Sequence, residues 1–97
     1  MSPLKCIIVD DEDVDRLMVV SFAKRFPRLS IVGIFSSSKE ALIVLEKEKI
    51  DILFLDIDMP EKSGIELAEE LVKENINCRI IFTTAFNQYA INAFRLS

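Results

Sequence analysis

The stretch Ile52-Leu53-Phe54-Leu55-Asp56-Ile57-Asp58-Met59-Pro60 decides the fold. Its four leading residues are all apolar, so the run has no polar face. That pattern belongs to a strand covered on both sides, as at the centre of a parallel sheet. The spacing predicts a strand over 51–55, closed by the carboxylate of Asp56, and a loop over 58–62. Met59 and Pro60 shape that loop, since proline fixes φ and neither group carries reactive chemistry. A second run of the same kind, Cys6-Ile7-Ile8-Val9, closes on Asp10 and Asp11. Parallel strands ending side by side gather these carboxylates at one edge of the sheet. Each close pair repels by roughly 4 kcal/mol at 4 Å and an effective dielectric of 20. A cation relieves that cost. Oxygen-only ligands suit a hard ion, and Mg2+ is the hard ion that also brings phosphate chemistry.

Working outward, strand and helix alternate. Residues 4–9 read as the first strand. Residues 13–25 read as a helix with Val14, Leu17, Met18, Ser21 and Phe22 on its apolar face, stopped by Pro27. Residues 30–35 form a short second strand. Ser37-x-x-Glu40 is a capping box opening a helix to about residue 49, which buries Ala41, Leu42, Val44 and Leu45. Ser63-x-x-Glu66 repeats the capping pattern before a helix with Ile65, Ala68, Leu71 and Val72 at helical spacing. A turn at 75–77 leads to a fourth strand over 78–84. Asn87 caps a last helix, 88–96, carrying Ala90, Ile91, Ala93 and Phe94. Gly64 permits a close approach or an unusual backbone angle. Such alternation implies a doubly wound α/β sheet with right-handed crossovers. Ligands of these sheets bind beyond the carboxyl ends of the strands, where Asp10, Asp11, Asp56 and Thr84 all fall.

Composition narrows the function. The 97 residues make one domain, and 51% are hydrophobic. The net charge of −4 provides no basic face, which disfavours direct binding of nucleic acid. No apolar run approaches the roughly 20 residues that span a bilayer. Cys6 and Cys78 lie in apolar strands and read as free thiols in a reducing cytoplasm. The chain has no histidine, which argues against zinc sites and against Ser-His or Cys-His catalysis.

These residues together resemble the receiver domain of two-component response regulators. The matching segments are Ile7-Ile8-Val9-Asp10-Asp11-Glu12, Leu53-Phe54-Leu55-Asp56-Ile57-Asp58-Met59-Pro60, Ser63-Gly64 and Phe82-Thr83-Thr84-Ala85. The run Phe82-Thr83-Thr84-Ala85-Phe86, followed by Tyr89-Ala90, is most similar to receivers joined to LytTR-type DNA-binding domains. The resemblance implies a flavodoxin-like sheet with strand order 2-1-3-4-5. It implies that Asp56 accepts a phosphoryl group from a partner histidine kinase. It implies Mg2+ held by Asp11 directly, by Asp10 through water, by Asp56, and by the backbone carbonyl of Asp58. Thr84 then binds the phosphoryl group through its hydroxyl, assisted by the Ala85 N–H. Thr83 is read as a strand residue facing a helix. Such a domain catalyses only its own phosphorylation and dephosphorylation.

A full receiver has a fifth strand and a fifth helix. Within these 97 residues four strands and four helices are expected. The lysine that opens the fifth strand has no counterpart, the last lysine being Lys73. Slow phosphorylation follows from that reading, as does self-association through an exposed fourth strand or the last helix. Two alternatives stand beside it. Asp56-x-Asp58 is similar to the Asp-x-Asp of haloacid-dehalogenase-like, Mg2+-dependent phosphohydrolases, although Pro60 stands where they carry Thr or Val. A receiver-fold interaction module that is never phosphorylated is the other.

Overall fold

The structure, a computed structural model, describes residues 2–83. The apolar runs form β1 (Leu4–Val9), β2 (Leu29–Phe35), β3 (Ile52–Leu55) and β4 (Arg79–Phe82). The intervening helices are α1 (Asp13–Ala23), α2 (Ser38–Lys47) and α3 (Gly64–Lys73). All strand pairings are parallel, in the order β2-β1-β3-β4. The two central strands are the two uninterrupted apolar runs, as burial on both faces requires.

Alternate residues of the central strands enter two separate cores. Ile7, Val9, Leu53 and Leu55 pack with Ala41 and Leu45 of α2 and with Leu67 and Leu71 of α3. Cys6, Ile8 and Phe54 point the other way, onto Val19, Val20 and Ala23 of α1. Fully burying one such aliphatic side chain contributes roughly 1.5–3 kcal/mol. Among the described residues the sheet therefore carries two helices on one face and one on the other.

Two helix faces differ from the sequence pattern. In α1, Val14 and Leu17 are 69% and 65% exposed, while Val19, Val20 and Ala23 are buried. Met18 and Phe22 pack at the flanks of that stripe. The helix holds more apolar residues than one face can bury. In α3, the buried stripe is Gly64, Leu67 and Leu71, whereas Ile65 is exposed and Val72 is 76% exposed. Leu71 is buried as expected and Ala68 is half-buried, while the rest of the stripe lies one residue or so away from Ile65 and Val72. The contact of Gly64 with the backbone below it sets that offset.

Other differences are at boundaries. α1 ends at Ala23 and α2 at Lys47, each two residues before the expected stop. β4 begins at Arg79, so Cys78 lies just before the strand and is half-buried; both cysteines are free. Ser63 makes a complete capping box, its Oγ accepting from the Glu66 N–H while Glu66 accepts from the Ser63 N–H. Ser37 makes only the forward arm, accepting from the Glu40 N–H at 3.3 Å. The expected last helix, 88–96, lies outside the described residues. Among the described residues, no helix is long and apolar enough to cross a membrane.

Candidate functional site

Strand register brings the carboxylates together. Val9 pairs with Leu55, and Leu55 with Phe82, so the strands end level. The ladder then runs one step further. Asp10 N–H donates to the Phe35 carbonyl at 3.1 Å, Asp56 N–H to the Val9 carbonyl at 3.0 Å, and Thr83 N–H to the Leu55 carbonyl at 2.9 Å. Asp10, Asp56 and Thr83 thus form a row at the carboxyl edge, each side chain buried.

One carboxylate oxygen from each of Asp10, Asp11 and Asp56 lies within 4.8 Å of the others. Asp11 Oδ1 is buried and makes no hydrogen bond, the one such side-chain oxygen or nitrogen among the described residues. A buried acceptor without a donor costs about 1–3 kcal/mol, more when charged. Burial pushes the Asp10 carboxyl up to about 6. The neighbouring charge of Asp56 adds to the rise, and the Glu12 N–H, which donates to Asp10 Oδ1 at 2.9 Å, opposes it. The group is short of positive charge, not of acceptors. Two opposed ligands of a Mg2+ ion stand about 4.2 Å apart, so small side-chain movements would close these oxygens around one. The residues present therefore fit a hard divalent ion, with Asp10, Asp11 and Asp56 to hold it.

The loop that follows Asp56 is held from several sides. Met59 is buried in the core beneath α2 and α3. Glu61 adopts φ 67°, and Lys62 N–H donates to the Pro60 carbonyl at 2.8 Å, closing a tight three-residue turn. The Lys62 carbonyl accepts from Ser38 Oγ at 3.1 Å, and its ammonium pairs with Glu70. Gly64 N–H donates to the Ile57 carbonyl at 2.8 Å. A Cβ on Gly64 would lie 2.1 Å from the Asp56 carbonyl oxygen, so this position admits no side chain. Its φ is not positive, hence the need is for close approach alone.

Asp58 follows two residues after Asp56 and its side chain is exposed. Thr84 and Ala85 lie outside the described residues. Thr83 is buried just past the end of β4. Two contributors were missed by sequence reasoning. Arg16 donates to the Asp10 main-chain carbonyl, and Ser38 fastens the loop at 57–63. The first had a signal: Arg16 is the only cation within the run Asp10-Asp11-Glu12-Asp13-Val14-Asp15-Arg16. The second had none, because its contact spans 24 residues.

Comparison with known proteins agrees with this architecture. The family described as response regulator receiver domain matches residues 6–97. The chain is 41% identical over 91 residues to the transcriptional regulatory protein BtsR of Escherichia coli (strain K12), which covers 94% of the chain and 38% of that protein. It is 38% identical over 93 residues to the sensory transduction protein LytT of Bacillus anthracis, covering 96% of the chain and 38% of that protein. The crystal structure of the response regulatory domain of mrkE from Klebsiella pneumoniae superposes with a TM-score of 0.77 at 32% identity, covering 96% of this chain and 76% of that one. The chain belongs to the response-regulator receiver family of two-component signalling, and its relatives include LytTR-type regulators. It spans 38% of the length of these curated relatives.

Proposed function

We propose that Asp56 is a phospho-acceptor and that Mg2+ supports the transfer. The observation that carries this reading is the buried, unpartnered Oδ1 of Asp11 beside two further strand-end carboxylates. An Asp56 carboxylate oxygen attacks phosphorus in a phosphohistidine of a partner histidine kinase. The P–N bond breaks, an acyl phosphate forms on Asp56, and the histidine is released. Asp10, Asp11, Asp56 and the Asp58 carbonyl would hold the ion. When bound, Mg2+ neutralises charge on the transferring group, which phosphoryl transfer needs more than covalent machinery. The packed loop after Asp56 fixes the Asp56 backbone from which the attacking carboxylate projects. Thr84 and Ala85 are assigned to the phosphoryl oxygens by their place in the family motif.

The output in the whole protein is transcriptional, as the printed name of BtsR suggests by analogy. The location is the cytoplasm, where the kinase would present its phosphohistidine. Among the described residues β4 pairs only with β3, and it carries Ile80, Ile81 and Phe82. Self-association of the 97-residue chain through that edge belongs to the same reading.

Intact mass spectrometry after incubation with Mg2+ and a small phosphoryl donor tests the acceptor. One added phosphoryl group, removed by hydroxylamine and absent in Asp56→Asn, is expected. Repeated turnover of a chromogenic phosphate ester without stoichiometric labelling would instead select the phosphohydrolase.

A further inference from the structure

Asp10 lies one residue beyond the end of β1, so its carbonyl leaves the strand ladder. Arg16 Nη1 takes that carbonyl at 2.8 Å, while Nη2 pairs with Asp13 Oδ1 at 2.6 Å. The side chain of Arg16 is only 21% exposed, whereas that of Asp13 is 86% exposed. An isolated surface pair three residues apart on a helix is worth little. The contact with the Asp10 carbonyl is different in kind. That carbonyl belongs to the peptide joining Asp10 to Asp11, so fixing its plane fixes the direction in which Asp11 leaves the backbone. α1 has no side-chain cap of its own at Glu12. The turn is closed instead by the Glu12 N–H on Asp10 Oδ1 and by the folded-back guanidinium.

We propose that Arg16 is a positioning residue for divalent-cation binding, holding the Asp10–Asp11 peptide so that the Asp11 carboxylate faces Asp56. This rests on the reading that Asp10, Asp11 and Asp56 hold Mg2+. Charge and geometry make opposite predictions for it. A guanidinium near the site repels a cation, so its removal should tighten Mg2+ binding if charge alone matters. Removal of a residue that orients a metal ligand weakens binding, commonly by 10–100-fold. A lysine keeps the charge but loses the planar fork that spans two acceptors.

The test is an NMR titration of the whole 97-residue chain with MgCl2, carried out well below the melting temperature. Arg16→Gln should raise the Mg2+ Kd by about tenfold, and Arg16→Lys should raise it too, by a smaller factor. Asp11→Ala should abolish saturable binding and serves as the reference for a lost site. Unchanged or tighter binding in Arg16→Gln overturns the proposal and leaves the receiver reading intact. Full affinity in Arg16→Lys also overturns it, because a point charge would then suffice. If Arg16→Gln does not fold, as judged by its circular dichroism, the lysine variant decides alone by the same criterion. Absence of a saturable Mg2+ response in the unmutated chain overturns the metal site itself and the inference with it.

Discussion

The two loops that build the site are held by different forces. The loop after β3 is anchored by packing at its two ends, where Met59 sits in the core and Gly64 is pressed against the Asp56 carbonyl, with the Ser38–Lys62 hydrogen bond and the Lys62–Glu70 pair between them. The turn after β1 is fixed by polar contacts: a backbone N–H on Asp10, a guanidinium on the Asp10 carbonyl, and carboxylates close together. Apolar packing carries no titratable group or counterion, so its loss is felt in global stability at every pH. Polar tethers among like charges respond to protons and cations. The loop after β3 is therefore the rigid half of the site and the acidic turn is its responsive half.

The largest effect should come from the packed half. Gly64→Ala would ordinarily stabilise a helix by up to about 1 kcal/mol. Here the new methyl meets a backbone carbonyl that cannot move without shifting Asp56. A loss of about 3 kcal/mol is expected, read by chemical denaturation. Stability equal to that of the unmutated chain would show that the loop is not sterically fixed, and the contrast between the two loops would collapse.

The responsive half should show itself in pH. Asp10 has its carboxyl raised from 3.8 to about 6, chiefly by burial and then by the charge of Asp56. The folded state then binds a proton more readily than the unfolded chain between these values. Its contribution is fully present below about pH 3.8 and is lost as pH rises through about 6. Without metal, that loss amounts to at most about 3 kcal/mol. The measurement is the difference between the unmutated chain and Asp10→Asn, which isolates this group. The difference should move with pH between 4 and 6. A constant difference would mean that Asp10 ionises as freely as in water.

Met59→Ala sharpens the comparison from the other side. Met59 is 9% exposed and packs in the core beneath α2 and α3. Truncation should cost about 2 kcal/mol, with no dependence on pH or Mg2+ concentration. A cost that changes with Mg2+ would show that the two loops are coupled and not held separately.

What the sequence made legible follows the same division. β1 and β3 were readable because burial on both faces leaves uninterrupted apolar runs, and their terminal carboxylates marked the site directly. Asp10, Asp11 and Asp56 converge as those runs implied. The faces of α1 and α3 were not readable. Val14, Leu17, Met18, Val19, Val20 and Phe22 surround most of α1, so periodicity alone cannot choose among stripes. For α3, the choice was made by Gly64 against Asp56, a contact that depends on tertiary approach and leaves no periodic trace. Arg16 was hidden for another reason. A cation at the edge of an acidic helix start reads as a solvated charge until its reach back to Asp10 is known.

The smallest expected effect is also the one that reverses sign. Asp11 Oδ1 is buried without a donor, and Asp10 and Asp56 add like charge beside it. In metal-free solution, Asp11→Ala removes that penalty and the repulsion, so the variant should be as stable as the unmutated chain or up to about 1 kcal/mol more so. Mg2+ should reverse the order. An ion that binds only the folded state adds about 1.4 kcal/mol at tenfold excess over its Kd, and the alanine variant forgoes that gain. The two melting curves should therefore cross as MgCl2 is raised. Parallel curves, with the variant displaced by the same amount at every concentration, would mean that Asp11 contributes to the fold and not to a cation site. The acidic turn would then join the loop after β3 as ordinary packed structure.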